Sequence, residues 1–165
     1  AKIAEALGLK EEEQTTVYQA GLLHDVGKVL TPESILLKPR KYNHREYEII
    51  KRHSIDSERM VSAISAFSPY AKIIRHHHER YDGLGYPRRI EKQDIPISAR
   101  ILCIVDAFDA MVSERSYKEA YSVNHALKII EEESGLQFDP ELAHVFVKSI
   151  KNGLIKIKRT TSKVS

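Results

Sequence analysis

The sequence predicts an all-α helical bundle, and three observations carry that prediction. Apolar residues recur at helical spacing along most of the 165 residues. Capping residues, prolines and glycines fall where such helices would begin and end. No strict alternation of apolar and polar residues runs longer than Leu154-Ile155-Lys156-Ile157-Lys158, so nothing beyond a short tail strand is expected.

The elements follow in chain order. Residues 1–7 read as the end of a helix, with Ile3, Ala6 and Leu7 apolar and Gly8 as its stop. Residues 11–25 read as helix: Val17, Ala20, Gly21, Leu22 and His24 lie broadly on one side, and acidic residues fill the first turn. Thr31-Pro32-Glu33 reads as a cap with Pro32 at the first helical position, opening a short helix to Leu37 that Pro39 ends. Asn43 and Glu46 have the spacing of a capping box, opening a helix through Tyr47, Ile50 and His53 with a break near Ser54. A further helical segment covers residues 57–66. Pro69 opens the helix that carries Ile73, Ile74, His77 and His78.

Gly83, Gly85 and Pro87 then force a loop. Pro96 opens a segment to Glu114 that is apolar nearly all round, which predicts the central buried helix. Ser122 caps a helix over residues 123–133, stopped by Gly135. Asp139-Pro140-Glu141 opens the last helix, ending at Gly153. One domain over residues 1–153 and a basic tail over 154–165 follow.

Composition narrows the function classes. Hydrophobic residues make 42% of the chain and charged residues 30%, which suits a globular domain with a sizeable core. No apolar run approaches the roughly 20 residues of a membrane span, and the start has no signal-peptide pattern. The single Cys103 sits in an apolar stretch and reads as a buried, inert thiol, consistent with a reducing, cytoplasmic setting. A net charge of +3 does not mark a binder of nucleic acid polymers, and Lys156, Lys158, Arg159 and Lys163 read as a solvated tail. The chain begins at Ala1 inside an amphipathic pattern, so an upstream helix is expected. Its loss would leave an apolar groove beside Ile3 and Val17 that favours association between chains, including a homodimer.

Chemistry concentrates in three places: Leu22-Leu23-His24-Asp25-Val26-Gly27-Lys28, the run from His77 to Pro87, and Asp106 inside Ile101–Phe108. A carboxylate in a buried helix costs several kcal/mol unless it is paired or bound to metal. Asp106 therefore pairs with a cation, Arg100 or Lys28, or it binds metal. His24 and Asp25 are adjacent, roughly 100° apart on a helix, and can serve one metal only at a helix end, or two neighbouring metals. His77-His78 has the same geometry. Helical rotation cannot send three consecutive rings inward, so His76 is assigned outward. His53 reads either as a satisfied core histidine or as a ligand. Mixed imidazole and carboxylate ligands suit iron, manganese or zinc, and such metals lower the pKa of bound water and can clamp a phosphodiester. Lys28, Arg115 and Lys118 are candidates for holding phosphate. His44, His125 and His144 have no partner pattern and read as structural or exposed.

Taken together, His24-Asp25-x-Gly27-Lys28, Ile50-Lys51-x-His53, His77-His78-Glu79-x-x-Asp82-Gly83-x-Gly85-Tyr86-Pro87, Asp106-x-Phe108-Asp109-Ala110 and Arg115-x-Tyr117-Lys118 resemble the HD-GYP domain, a bacterial branch of the HD phosphohydrolase superfamily. The resemblance covers about residues 11–150. It implies an HD-domain bundle with an extra C-terminal helix pair and a metal-dependent phosphodiesterase that opens cyclic di-GMP to pGpG, often with onward cleavage to GMP. It implies two or three divalent metals, iron or manganese, with zinc or nickel as substitutes. By position, His24, Asp25, His53, His77, His78 and Asp106 would be the ligands, with Asp25 bridging. Lys28 would lie near the scissile phosphate, and Arg115 and Lys118 would hold a substrate phosphate. Tyr86, in the Gly85-Tyr86-Pro87 loop, would face substrate or dock a diguanylate cyclase domain. Members carry further ligands on an upstream helix, so weak activity is expected of residues 1–165. A catalytically weak domain acting as a cyclic di-GMP receptor or protein-docking module, an HD hydrolase of another nucleotide such as a hybrid cyclic dinucleotide, and a purely structural bundle are the alternatives.

Overall fold

The computed structural model describes residues 1–114 and 119–155, and the described residues are helical with no β-strand. Helix α1 spans Lys2–Ala6 and stops at Gly8, whose φ of 73° is the left-handed conformation a glycine adopts without penalty. Helix α2 spans Glu11–Leu23, with Glu11, Glu12 and Glu13 at the end where the helix dipole favours anions. A 3-10 turn, Val26–Leu30, and the short helix α3, Glu33–Leu36, come next. Helix α4, His44–Lys51, opens on the expected reciprocal cap: the Glu46 amide donates to Asn43 Oδ1 at 3.0 Å and the Asn43 amide to Glu46 Oε2 at 2.8 Å. Helices α5, His53–Ser62, and α6, Ala71–His76, follow.

The long helix α7, Ile97–Val112, is the spine. On one side Ile101, Ile104 and Phe108 join a core built with Ile3, Val17, Leu127 and Phe146. On the other, Ala99 and Leu102 join Ala20, Val61, Ile73, Ile74 and Ile95. Each large aliphatic side chain buried this way contributes roughly 1.5–3 kcal/mol. The C-terminal pair, α8 (Val123–Glu132, capped by Ser122) and α9 (Pro140–Lys151, capped by Asp139), closes the larger core. Arg100 anchors the pair to α7 through an ion pair with Asp139, both largely buried.

Several expectations are corrected. The α4–α5 break falls at Arg52 rather than Ser54, and Ser54 is buried within α5. Pro32 caps α3 instead of opening it, because its ψ of 131° is extended. The groove beside Ile3 and Val17 is absent, since α1 packs onto α7 and α9 and both side chains are buried. Helix α7 is not buried all round: Val105 and Asp109 face outward and Asp106 is partly exposed. Arg100 and Lys28, the proposed partners of Asp106, pair with Asp139 and Asp25 instead. Cys103 is buried as expected, and burial pushes its thiol up to about 12.

One contact in the fold brings the chemistry together. Gly27 is pressed onto α5, where an added Cβ would meet the Ser57 nitrogen at 2.4 Å and the His53 carbonyl oxygen at 2.5 Å. The Gly27 amide donates to Ser57 Oγ at 2.8 Å. This seat carries Asp25 and Lys28 to His53. Gly27→Ala should therefore destabilise the fold by about 1–3 kcal/mol, the usual range for overpacking. Urea denaturation checks it, and an unchanged midpoint would show that the seat can yield.

Candidate metal centre

Three histidines are oriented by the same device. His24, His53 and His77 each direct Nδ1 at the carbonyl oxygen three residues earlier: Gly21 at 2.7 Å, Ile50 at 2.6 Å and Ile74 at 2.5 Å. Those carbonyls lie in the last turns of α2, α4 and α6, where helices leave acceptors without internal partners. With Nδ1 carrying the proton, Nε2 presents a lone pair. His53 Nε2 is 3.4 Å from His77 Nε2 and 3.1 Å from His78 Nε2. Two imidazole nitrogens this close need a proton or a metal cation between them. Separations of this size are those between neighbouring ligands around an ion bonded at about 2.0–2.1 Å.

The carboxylates complete the set. Asp25 Oδ1 lies 3.4 Å from His53 Nε2 and is buried with no hydrogen-bond partner in the protein, while Oδ2 accepts from Lys28 Nζ at 2.6 Å. Asp106 Oδ1 approaches His24 Nε2 at 3.6 Å, and Asp25 Oδ2 approaches it at 3.4 Å. Donor atoms of His53, His77 and His78 form one compact group, and those of His24, Asp25 and His77 a second. The donors are hard oxygens and borderline nitrogens, a set suited to divalent transition metals. The residues fit a metal centre.

Electrostatics supports the fit. Burial alone would lower the pKa of His24, yet the bonds from Asp106 and Asp25 raise it to about 10. A point that attracts a proton this strongly also attracts a metal cation. Burial would raise the Asp25 carboxyl, but His24 and Lys28 overcome it and hold the group well below the carboxylate range. Burial lowers His77 to about 4 and also lowers His53 and His78, keeping these rings neutral and able to coordinate.

A family model described as HD domain matches residues 1–142. The chain belongs to the HD domain family. Its motifs place it in the HD-GYP branch. Among curated relatives, a cyclic di-GMP phosphodiesterase of Thermotoga maritima is 42% identical over 151 residues, covering 89% of this chain and 40% of that protein. The cyclic di-GMP phosphodiesterase response regulator RpfG of Xanthomonas campestris is 43% identical, covering 84% and 37%. The 3′3′-cGAMP-specific phosphodiesterase 1 of Vibrio cholerae is 38% identical, covering 89% and 34%. The chain thus spans about two fifths of the length of these relatives. Two solved structures share the fold: a cyclic GMP-AMP specific phosphodiesterase of Vibrio cholerae, with a TM-score of 0.69 at 22% identity over 91% of this chain and 41% of that one, and an HD-GYP protein of Bdellovibrio bacteriovorus, with 0.72 at 20% over 90% and 48%.

The HD-GYP loop forms one wall of the centre. The Tyr86 ring packs on His78 with centroids 4.8 Å apart, tilted by 32°, and meets Tyr47 edge-on at 6.4 Å. Lys51 Nζ lies 5.1 Å and 5.8 Å from the centroids of Tyr47 and Tyr86. A cleft of about 350 Å³ opens there, lined by Tyr47, Lys51, Arg52, Tyr86, Pro87 and Arg89 among others. Burial raises the Tyr86 phenol, so it stays neutral.

Six candidate ligands therefore come together: His24, Asp25, His53, His77, His78 and Asp106. His76 turns away from them as expected, but it is buried rather than outward, with Nδ1 3.5 Å from Glu79 Oε1. Arg115 and Lys118 lie outside the described residues. His44, His125 and His144 are exposed. Sequence reasoning missed Tyr47 and gave Lys51 and Glu79 no role. Lys51 and Glu79 lie in the quoted motifs, whereas Tyr47 carried no local signal at all.

Metal binding has a direct readout. An ion at 100 times its Kd should stabilise the protein by about 2.7 kcal/mol. Manganese should therefore raise the melting temperature of the wild type, and Asp25→Ala should lose the shift because it removes a donor of the second group and the oxygen that faces His53 Nε2 at 3.4 Å. No shift with manganese, iron or zinc would remove the metal centre.

Proposed function

We propose that this domain is a metal-dependent phosphodiesterase that opens cyclic di-GMP to linear pGpG and cleaves it further to GMP. The observation that carries the proposal is the convergence of four imidazoles and two carboxylates beside a cleft walled by Tyr86. Relatives named as cyclic di-GMP phosphodiesterases support it.

Each side chain takes a role. His24, Asp25, His53, His77, His78 and Asp106 would hold the metal ions, with Asp25 reaching toward both His24 and His53. Iron or manganese suits these donors, and zinc or nickel could substitute. When bound, the metals supply an activated nucleophile at neutral pH and neutralise phosphate charge. In the reaction, water oxygen bonds to phosphorus as the P–O3′ bond breaks, and the leaving 3′ oxygen gains a proton. Lys28, bonded to Asp25, would carry charge of the scissile phosphate. Arg115 and Lys118 would grip the second phosphate. Tyr86 would face a base in the cleft, whose volume lies within the range of small-molecule sites. A diguanylate cyclase domain docking on the Gly85-Tyr86-Pro87 loop and a homodimer belong to the same proposal.

A second reading, hydrolysis of 3′3′-cGAMP, draws support from the 38% identity to the Vibrio cholerae enzyme named for it. Turnover assays with both cyclic dinucleotides at equal manganese loading test the two together. Cyclic di-GMP should be converted to pGpG, and chelation should stop the reaction. Faster turnover of 3′3′-cGAMP would favour the second reading, and turnover of neither would leave a receptor. Arg115→Ala should weaken cyclic di-GMP binding roughly tenfold to a hundredfold with metal content intact, the loss of one charge-assisted contact of about 1.5–3 kcal/mol. Unchanged affinity would take Arg115 out of the site.

A further inference from the structure

We propose that Glu79 is a positioning residue: it holds Tyr86 against His78 and so fixes the wall between the metal centre and the cleft. That Tyr86 faces the nucleotide rests on the proposed function. Its placement by Glu79 does not.

The Glu79 side chain has no solvent exposure. A carboxylate so buried costs several kcal/mol unless its bonds repay it. Its one short bond goes to the loop: Oε1 accepts the Arg88 amide at 2.6 Å. The contact with His76 Nδ1, at 3.5 Å, is too long for a strong bond. Oε2 has no hydrogen-bond partner in the protein. The buried carboxyl group is thus committed to one backbone amide, two residues beyond Tyr86.

The rest of the loop shows why that bond matters. The Tyr86 amide reaches the His78 carbonyl only at 3.2 Å. Gly85 lies flat on the chain beneath, where an added Cβ would stand 2.3 Å from the Arg80 nitrogen and 2.5 Å from Glu79 Cα. Residues 85–88 therefore lie back across residues 78–80, pinned before Tyr86 by close packing and after it by Glu79. With both ends held, the ring stays on His78 at 4.8 Å. With the Arg88 end free, the chain after Tyr86 would be unpinned, leaving the ring to the Gly85 packing, the long Tyr86 amide bond and the edge of Tyr47. Arg80, tied to Asp82 at 2.8 Å and in reach of Glu133 and Gln137, secures the base of the loop.

The chain has no tryptophan, so Tyr86→Trp gives a single tryptophan, excitable apart from the tyrosines, at the position in question. In that background Glu79→Leu should shift emission to the red and raise acrylamide quenching at least threefold. Glu79→Gln, whose amide oxygen still accepts from Arg88, should stay close to the parent. Metal content should be equal in all three. In the otherwise native chain, Glu79→Leu should weaken cyclic di-GMP binding at least tenfold and Glu79→Gln less than threefold. Unchanged emission in Glu79→Leu overturns the proposal, as does loss of metal alongside the shift, since Glu79 would then act on His78 itself. If the leucine variant does not fold, Glu79→Asp, one methylene too short to reach Arg88, takes its place with the same criterion. An emission shift with no nucleotide binding by any protein, wild type included, would leave the positioning role standing and overturn the proposed function.

Discussion

The site depends on carbonyl groups at the ends of three helices. A helix leaves its last carbonyls without partners and its C-terminal end partly negative. In α2, α4 and α6 a histidine just past or near that end turns Nδ1 onto such a carbonyl. One bond does two things at once: it satisfies an orphan acceptor, and it fixes which imidazole nitrogen keeps a lone pair. The three helix ends then direct those lone pairs, together with partial negative charge, at a common point. A cation is what such a point binds, and Asp25 and Asp106 reinforce the preference.

This device explains why the site could be read in part from the sequence. His24-Asp25 and His77-His78 were recognised as helix-end pairs because an adjacent pair can converge only where the helix stops. The Asn43–Glu46 cap, Ser122 and Asp139 were legible for the same local reason, since capping depends on residues three or four apart. What escaped was non-local. Asp106 looked buried because its neighbours Ile104 and Phe108 are apolar, yet it sits on the stripe of α7 that opens toward the histidines. His76 was sent outward by helical rotation alone, but the loop after it folds Glu79 back underneath. Tyr47 meets Tyr86 across a gap of almost forty residues that no periodicity reports. The groove expected beside Ile3 and Val17 vanished because α9, at the far end of the chain, covers part of that face.

Gly27 and Gly85 serve related purposes on opposite sides of the centre. Each lets one backbone approach another more closely than any side chain would allow: the 3-10 turn onto α5, and the loop onto residues 78–80. The first sets the distance from Asp25 to His53, and the second sets Tyr86 against His78. Neither glycine touches a ligand atom. Both convert a short motif into a fixed geometry, which is why the motif spacing carries more information than the ligand types alone.

The charge pattern around the centre separates capture from chemistry. Asp25 and Asp106 are ionised, and in the bare protein protonated His24 and Lys28 balance them, so the centre offers a phosphodiester no net attraction. The Lys28 ammonium is itself bonded to Asp25. Lys51, Arg52 and Arg89 lie farther out, around the cleft beyond Tyr86. These cations can draw an anion to the rim, where water screens them and each contact is worth little. Metal ions bound between the carboxylates would make the centre itself positive. In such an arrangement substrate affinity follows the rim and turnover follows the metals, and Tyr86 stands on the boundary between the two.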